Sequence, residues 1–87
     1  MADHPSAQKR HRQSLKRRAR NKHWLSQVRS AVRQARGALE SGAEDGRAQV
    51  QHAERLLRKA GSKGVLHGRT VSRTVSRLYR QMGRSAT

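Results

Sequence analysis

Apolar residues along the chain recur at alternating spacings of three and four, in three separate stretches. Leu25, Val28, Val32, Ala35 and Leu39 form the first. Val50, Ala53, Leu57 and Ala60 form the second, and Leu56 widens it. Val71, Val75, Leu78 and Met82 form the third. A period near 3.5 residues aligns such positions on one side of an α-helix that packs against other helices. Val71, Thr74 and Val75 lower helix propensity locally and make a strand conceivable, but the spacing of the third stretch favours a helix.

Glycines punctuate the stretches. Gly42 and Gly46 bracket one turn, and Gly61, Gly64 and Gly68 bracket another. The pattern predicts helices over 6–41, 45–60 and 69–82, with flexible tails at 1–5 and 83–87. Ser41-Gly42 is a suitable stop, because glycine takes the left-handed conformation after a helix at little cost. Asp45 is the expected N-cap of the second helix and Gly61 the residue just past its end. Val65 and Leu66 sit in the second connection and are expected to plug the bundle end. Short connections make the helices alternate in direction. The expected fold is therefore all-α, a single domain over 1–87 built as an up-down-up three-helix bundle.

The polar pattern divides the first helix in two. Between Gln8 and Asn21 only Leu15 and Ala19 are apolar, while Lys9, Arg10, Arg12, Lys16, Arg17, Arg18 and Arg20 occupy every side. A helix charged all round has no face to bury. At 1.5 Å per residue the first helix is roughly 50 Å long, and its N-terminal half is expected to project from the bundle and to become helical mainly against an anionic partner. In the third helix Arg69, Arg73, Arg77, Arg80 and Arg84 lie about two residues out of step with the apolar seam, which turns this stripe away from the core.

Composition sharpens the picture. The chain has 87 residues, 21 Lys plus Arg against 5 acids, and a formal charge of +16. Arginine supplies 16 of the 21 cations, and no acid follows Glu54. Guanidinium groups are planar five-donor forks that grip phosphate and stack on bases, and an excess of this size calls for a polyanionic partner. Only 32% of residues are apolar, with no Phe and with Trp24 and Tyr79 as the only aromatics. So small and polar a chain buries little, and partial disorder that resolves on RNA is expected.

Several functions are poorly served. Without cysteine there is no disulfide or thiolate metal site. The five histidines, His4, His11, His23, His52 and His67, show no metal-ligand spacing. No apolar run approaches the roughly 20 residues of a membrane span, and the N-terminus lacks the apolar core of a secretory signal. No nucleophile elbow or nucleotide loop occurs; Lys63-Gly64 lacks the rest of a phosphate loop. An enzyme, a cofactor, a metal and a small-molecule substrate are therefore not expected. A nucleoid-type DNA-binding protein would share the charge but would show a helix-turn-helix or a dimer seam. A cationic membrane-active helix would need a Leu- or aromatic-rich face.

The candidate RNA contacts are the basic residues of the projecting half together with Gln13, Asn21 and Lys22, which add hydrogen bonds and one more charge. Lys63 and His67 of the second connection and the five arginines of the third helix complete the set. Trp24 is expected to cap the bundle end, with stacking on a base as the other reading. His67 is expected to cap a helix or touch phosphate, and the Tyr79 hydroxyl could point toward phosphate.

Specific strings add a resemblance. Met1-Ala2 followed by Ser6-Ala7-Gln8-Lys9-Arg10-His11-Arg12-Gln13, then Lys16-Arg17-Arg18-Ala19-Arg20-Asn21, Ala38-Leu39-Glu40-Ser41-Gly42, Lys63-Gly64-Val65-Leu66-His67 and Ser76-Arg77-Leu78 run in order through nearly the whole chain. Together they resemble the bacterial-type ribosomal small-subunit protein S-twenty family. That resemblance implies a three-helix bundle with an extended first helix. It also implies direct binding to small-subunit ribosomal RNA early in assembly, near the base of the particle's body. It extends to the basic positions of the N-terminal match and to Lys63, His67 and Arg77. Neighbouring ribosomal proteins are the further partners it allows; no homo-oligomer is expected. A cytoplasmic ribosome is the expected location, with an organellar one as the alternative. Thr74-Val75 stand where members often carry two lysines, Gly68 replaces a common Lys or Arg, and the closing lysines are missing, so RNA contact along the third helix falls to its arginine stripe.

Overall fold

The computed structural model describes residues 5–85, and these form three α-helices: α1 (Pro5–Ser41), α2 (Gly46–Ser62) and α3 (Gly68–Ser85). The tails expected at 1–5 and 83–87 fall largely outside the described residues; within them, Pro5 opens α1 and Gly83 to Ser85 continue α3. Proline fits a first helical turn because its missing N–H would have no partner there anyway.

The two connections use the same backbone device. At the end of α1, Gly42 has φ 70°. Its N–H donates to the Leu39 carbonyl (3.4 Å), and the Ala43 N–H donates to the Ala38 carbonyl (3.0 Å). At the end of α2, Gly64 has φ 76°. Its N–H donates to Gly61 (3.1 Å), and the Val65 N–H donates to Ala60 (2.9 Å). Both are Schellman motifs, which satisfy carbonyls that a helix end leaves orphaned. The stop of α2 is thus Gly64, three residues later than the expected Gly61.

Gly61 instead lies inside α2, where it faces α3. A Cβ there would sit 3.0 Å from Val71 Cγ2, so the missing side chain allows the two helices their close approach. Asp45 occupies the N-cap position of α2 but makes no side-chain cap bond. Its backbone, at φ −86° and ψ 8°, is outside the extended region a capping side chain needs, and its carboxylate accepts from Gln49 Nε2 at 3.1 Å instead.

The core consists of Val28, Ala31, Ala35 and Leu39 from α1, Val50, Ala53, Leu57 and Ala60 from α2, and Val71, Val75 and Leu78 from α3. Val32, Leu56, Val65, Leu66 and Met82 pack around it, so the Val65-Leu66 segment does close the bundle end. The buried stripe of α1 is rotated relative to the expected seam. Ala31 is buried while Leu25 is only half-buried. Ala31 and Ala35 of α1 and Ala53 and Ala60 of α2 all belong to the core, and side chains this small permit helices to lie close.

The fold is elongated, with extents of 66 × 20 × 15 Å and a radius of gyration of 17.5 Å, against about 12 Å for a compact chain of this length. The cause is α1. Every residue from Pro5 to Arg20 is exposed, and the first buried one is Val28.

Candidate nucleic-acid interface

The projecting half of α1 places Lys9, Arg10, Arg12, Gln13, Lys16, Arg17, Arg18, Arg20 and Lys22 in solvent, with Asn21 half-buried. No acid occurs between Asp3 and Glu40, so no carboxylate stands among them along the projecting half. Arg12/Lys16, Lys16/Arg20, Arg18/Lys22 and Arg29/Arg33 are like charges one turn apart. At about 0.2–0.5 kcal/mol each, they oppose the helix by roughly 1–2 kcal/mol in total. Phosphates laid along the rod would reverse that sign.

The arginines of α3, Arg69, Arg73, Arg77, Arg80 and Arg84, are all exposed, on the side away from Val71, Val75 and Leu78. They form a second cationic surface, separate in sequence from the rod. Two other candidates hold structural positions. Lys63 is the C-cap residue of α2, where a cation meets the negative end of the helix dipole. Its Nζ lies 5.5 Å from the Trp24 ring centroid, within cation–π range. Half-buried Trp24 therefore sits at the bundle end, as expected, although its contact is with Lys63 rather than with the core cluster.

His67 caps α3. Its Nδ1 accepts from the Arg69 N–H at 3.1 Å, while its carbonyl accepts from the Val71 N–H at 3.1 Å. One of the first orphan N–H groups of α3 is thereby satisfied, and the outer ring nitrogen remains for other partners.

Tyr79 differs from expectation. Its hydroxyl donates to Glu54 Oε1 at 2.6 Å, across from α3 to α2, and is not directed to solvent. Arg58 donates to Glu54 Oε2 from Nη2 (2.9 Å) and Nε (3.1 Å). The Tyr79 hydrogen bond, followed by those from Arg58, holds the Glu54 carboxyl below its ordinary value. The same bond to Glu54 raises the Tyr79 hydroxyl. The last acid of the sequence is thus held by two partners, and its charge is set against the Arg58 guanidinium. Residues 54 and 79 are too far apart in sequence for any periodicity to have paired them.

Helix α1 adds Arg29, Arg33 and Arg36, which sequence reasoning passed over. All three are exposed. An open face of α1 runs from Ser14 to Arg33, past Arg17, Arg18, Lys22 and Arg29, so the cationic surface continues from the rod onto the bundle. The overlooked signal was angular. At about 100° per residue, Arg29, Arg33 and Arg36 share a narrow side of the helix with Arg18 and Lys22.

Among the described residues no helix is long and apolar enough to cross a membrane, and no group of three or more His, Cys, Asp or Glu could hold a metal ion. The family described as Ribosomal protein S20 matches residues 2–82. The small ribosomal subunit protein bS20 of Desulforapulum autotrophicum is 42% identical over 83 residues, covering 95% of this chain and 100% of the relative. That of Anaeromyxobacter dehalogenans is 44% identical over 87 residues, covering 99% and 95%. That of Nitratidesulfovibrio vulgaris is 40% identical over 87 residues, covering 99% and 100%.

Proposed function

The chain belongs to the ribosomal protein S20 family, and from that premise we propose that it binds small-subunit ribosomal RNA directly and stabilises the folding of that RNA during assembly. Its role in the small ribosomal subunit is structural, and it is not an enzyme. The observation that carries the RNA-binding reading is the projecting half of α1. It is a stretch of helix without a core face, exposed throughout from Pro5 to Arg20 and cationic on every side.

A thin basic rod suits a crevice between RNA helices, where phosphates approach it from several directions. Each phosphate that meets a guanidinium releases a counterion and removes like-charge repulsion within α1. The bundle anchors the rod, and its small core makes few demands on the rest of the surface. The α3 arginines reach a separate stretch of backbone. Gln13 and Asn21 offer neutral hydrogen bonds to sugars or base edges, and Lys63 and His67 present charge and a ring nitrogen beside the bundle end. In this reading the protein works as a monomer, in a cytoplasmic ribosome, with ribosomal RNA as its main partner and other ribosomal proteins as neighbours.

Eight cations stand on the rod between Lys9 and Lys22. If each neutralises one phosphate, the logarithm of affinity falls against the logarithm of salt with a slope of about −6 to −7. The test is charge reversal, Arg17→Glu with Arg18→Glu, both far from the core. Affinity for a small-subunit ribosomal RNA transcript, read by filter binding, should fall by more than tenfold while the unfolding midpoint stays put. Unchanged affinity would remove the rod as the main contact. Equal competition by duplex DNA at the same ionic strength would remove the preference for RNA.

A further inference from the structure

Within the bundle the two flanks of α1 differ. Toward α2, the groove is lined by Gln27, Ser30, Gln34 and His52 and carries no arginine or lysine. Toward α3, Arg29, Arg33, Arg36 and Glu40 form one wall of a groove whose other wall is Thr70 and Thr74, over a floor that includes Val32 and Leu66; three cations outnumber the one acid, which stands at the far end from the rod. This second groove shares Leu25, Arg29 and Arg33 with the open face of the rod, so the two form one track. Arg18, Lys22, Arg29, Arg33 and Arg36 fall within an arc of about 60° at 100° per residue.

Resting on the RNA-binding reading above, we infer that the α1–α3 groove is a second binding site, which takes the ribose–phosphate backbone of an RNA strand continuing from the rod. Arg29, Arg33 and Arg36 are separated by about 6 and 4.5 Å of helix rise, comparable to the distance between successive phosphates of one strand. The partly buried Val32 and Leu66 suit the apolar faces of the sugars. No aromatic residue lines the groove, so bases have nothing to stack on and the site reads backbone rather than sequence.

Thr74 supplies the preference for ribose. Its Oγ1 donates to the Thr70 carbonyl at 2.9 Å, so its proton is committed and what remains for the groove is an acceptor. An acceptor repels a phosphate oxygen but receives a hydrogen bond from a 2′-hydroxyl, the group that separates RNA from DNA.

The test uses the full chain and a transcript of small-subunit ribosomal RNA. A variant with Arg29→Gln, Arg33→Gln and Arg36→Gln should reduce the salt slope by about 2, at roughly 0.7 per single-strand phosphate. Gln27→Ala with Gln34→Ala, on the opposite flank, should leave the slope unchanged. Gln matches Arg closely in helix propensity, and equal circular-dichroism spectra verify that each variant is folded. In parallel, Thr74→Val should lower the affinity ratio of a 12-nucleotide oligouridylate over its deoxy counterpart by about three- to tenfold, the range of one lost hydrogen bond. A wild-type slope in the triple variant, beside a reduced slope in Arg17→Gln with Arg18→Gln, would overturn the groove site while leaving the rod in place. An unchanged ribose preference in Thr74→Val would overturn the assignment of Thr74. Failure of the wild-type protein to bind the transcript would overturn the RNA-binding reading and the groove with it.

Discussion

Replacing Gly61 with alanine should destabilise the bundle, although alanine is the better helix former. Gly61 is the last residue but one of α2, so the change is worth at most the about 0.5–1 kcal/mol of a helix interior in favour of alanine. Against it stands the contact with Val71. The new Cβ would lie 3.0 Å from Val71 Cγ2 and 3.9 Å from Val71 Cβ. Val71 is only 5% exposed, and a β-branched side chain on a helix has one strongly preferred rotamer, so the methyl group cannot swing clear. Either the rotamer or the α2–α3 distance must change, at the roughly 1–3 kcal/mol typical of overpacking. The net expectation is a loss of about 1 kcal/mol, or some 4–8 °C in Tm for a domain of this size. Val71→Ala removes the clashing methyl and leaves an ordinary contact, so in that background Gly61→Ala should become stabilising. Urea unfolding followed by the fluorescence of Trp24, the single tryptophan, gives all four corners of the double-mutant cycle, with an expected coupling of about 1–3 kcal/mol. If Gly61→Ala stabilises the protein equally in both backgrounds, the α2–α3 approach is not limited by Val71 and the reasoning fails.

Three further outcomes follow from other contacts. Tyr79→Phe should cost about 0.5–1 kcal/mol at neutral pH, a charged hydrogen bond discounted for solvent access. The Glu54 carboxyl is held down by Tyr79 and then Arg58, so that stabilisation is present at neutral pH and lost as acid protonates Glu54 in the folded state. Because the Tyr79 hydroxyl is raised, the same bond is lost again when alkali deprotonates it. Wild-type and Tyr79→Phe urea midpoints should converge at both extremes; a constant gap across the pH range would show that the bond contributes nothing pH-dependent. His67→Ala should lower Tm by the equivalent of about 0.5–1 kcal/mol, because the Arg69 N–H loses its cap; restoration by His67→Asn, a strong capping residue, would verify the mechanism, and an unaffected Tm in His67→Ala would refute it. Far-ultraviolet circular dichroism should gain helical signal when the ribosomal RNA transcript is added, because phosphates relieve the repulsion along α1; an unchanged spectrum would mean that the rod is already fully helical without RNA.

Much of the fold was legible in the sequence, and so was the character of the candidate interface. The alternating three-and-four spacing marks three helices, because a helix must gather its apolar residues on one side to bury them. The all-round cationic half of α1 and the α3 arginine stripe were readable for the same reason, since charge periodicity and core periodicity are set by the same 3.6-residue turn. What remained undecided was how each helix is turned relative to its neighbours. The seam read from the sequence began at Leu25 and passed over Ala31, whereas the packed bundle buries Ala31 and leaves Leu25 half-buried. Glycine identity could not separate a stop from a helix–helix contact. The role of Gly61 depends on Val71 ten residues away, whereas the stop falls to Gly64, which has the left-handed φ.

The same holds for surface chemistry. Tyr79 and Glu54 belong to different helices, and their 2.6 Å bond exists only because α2 and α3 pack with those positions facing. Arg29, Arg33 and Arg36 are plain solvent-facing cations in the sequence, and they become the wall of a groove only once α3 sets Thr70 and Thr74 opposite. The sequence by itself determined which residues form helices, which of them are apolar and where charge has no core to oppose it, because those properties arise within one turn of the chain. The tertiary structure alone decided which helix flanks meet and what lies between them, because contacts between distant residues depend on the angle and separation of whole helices.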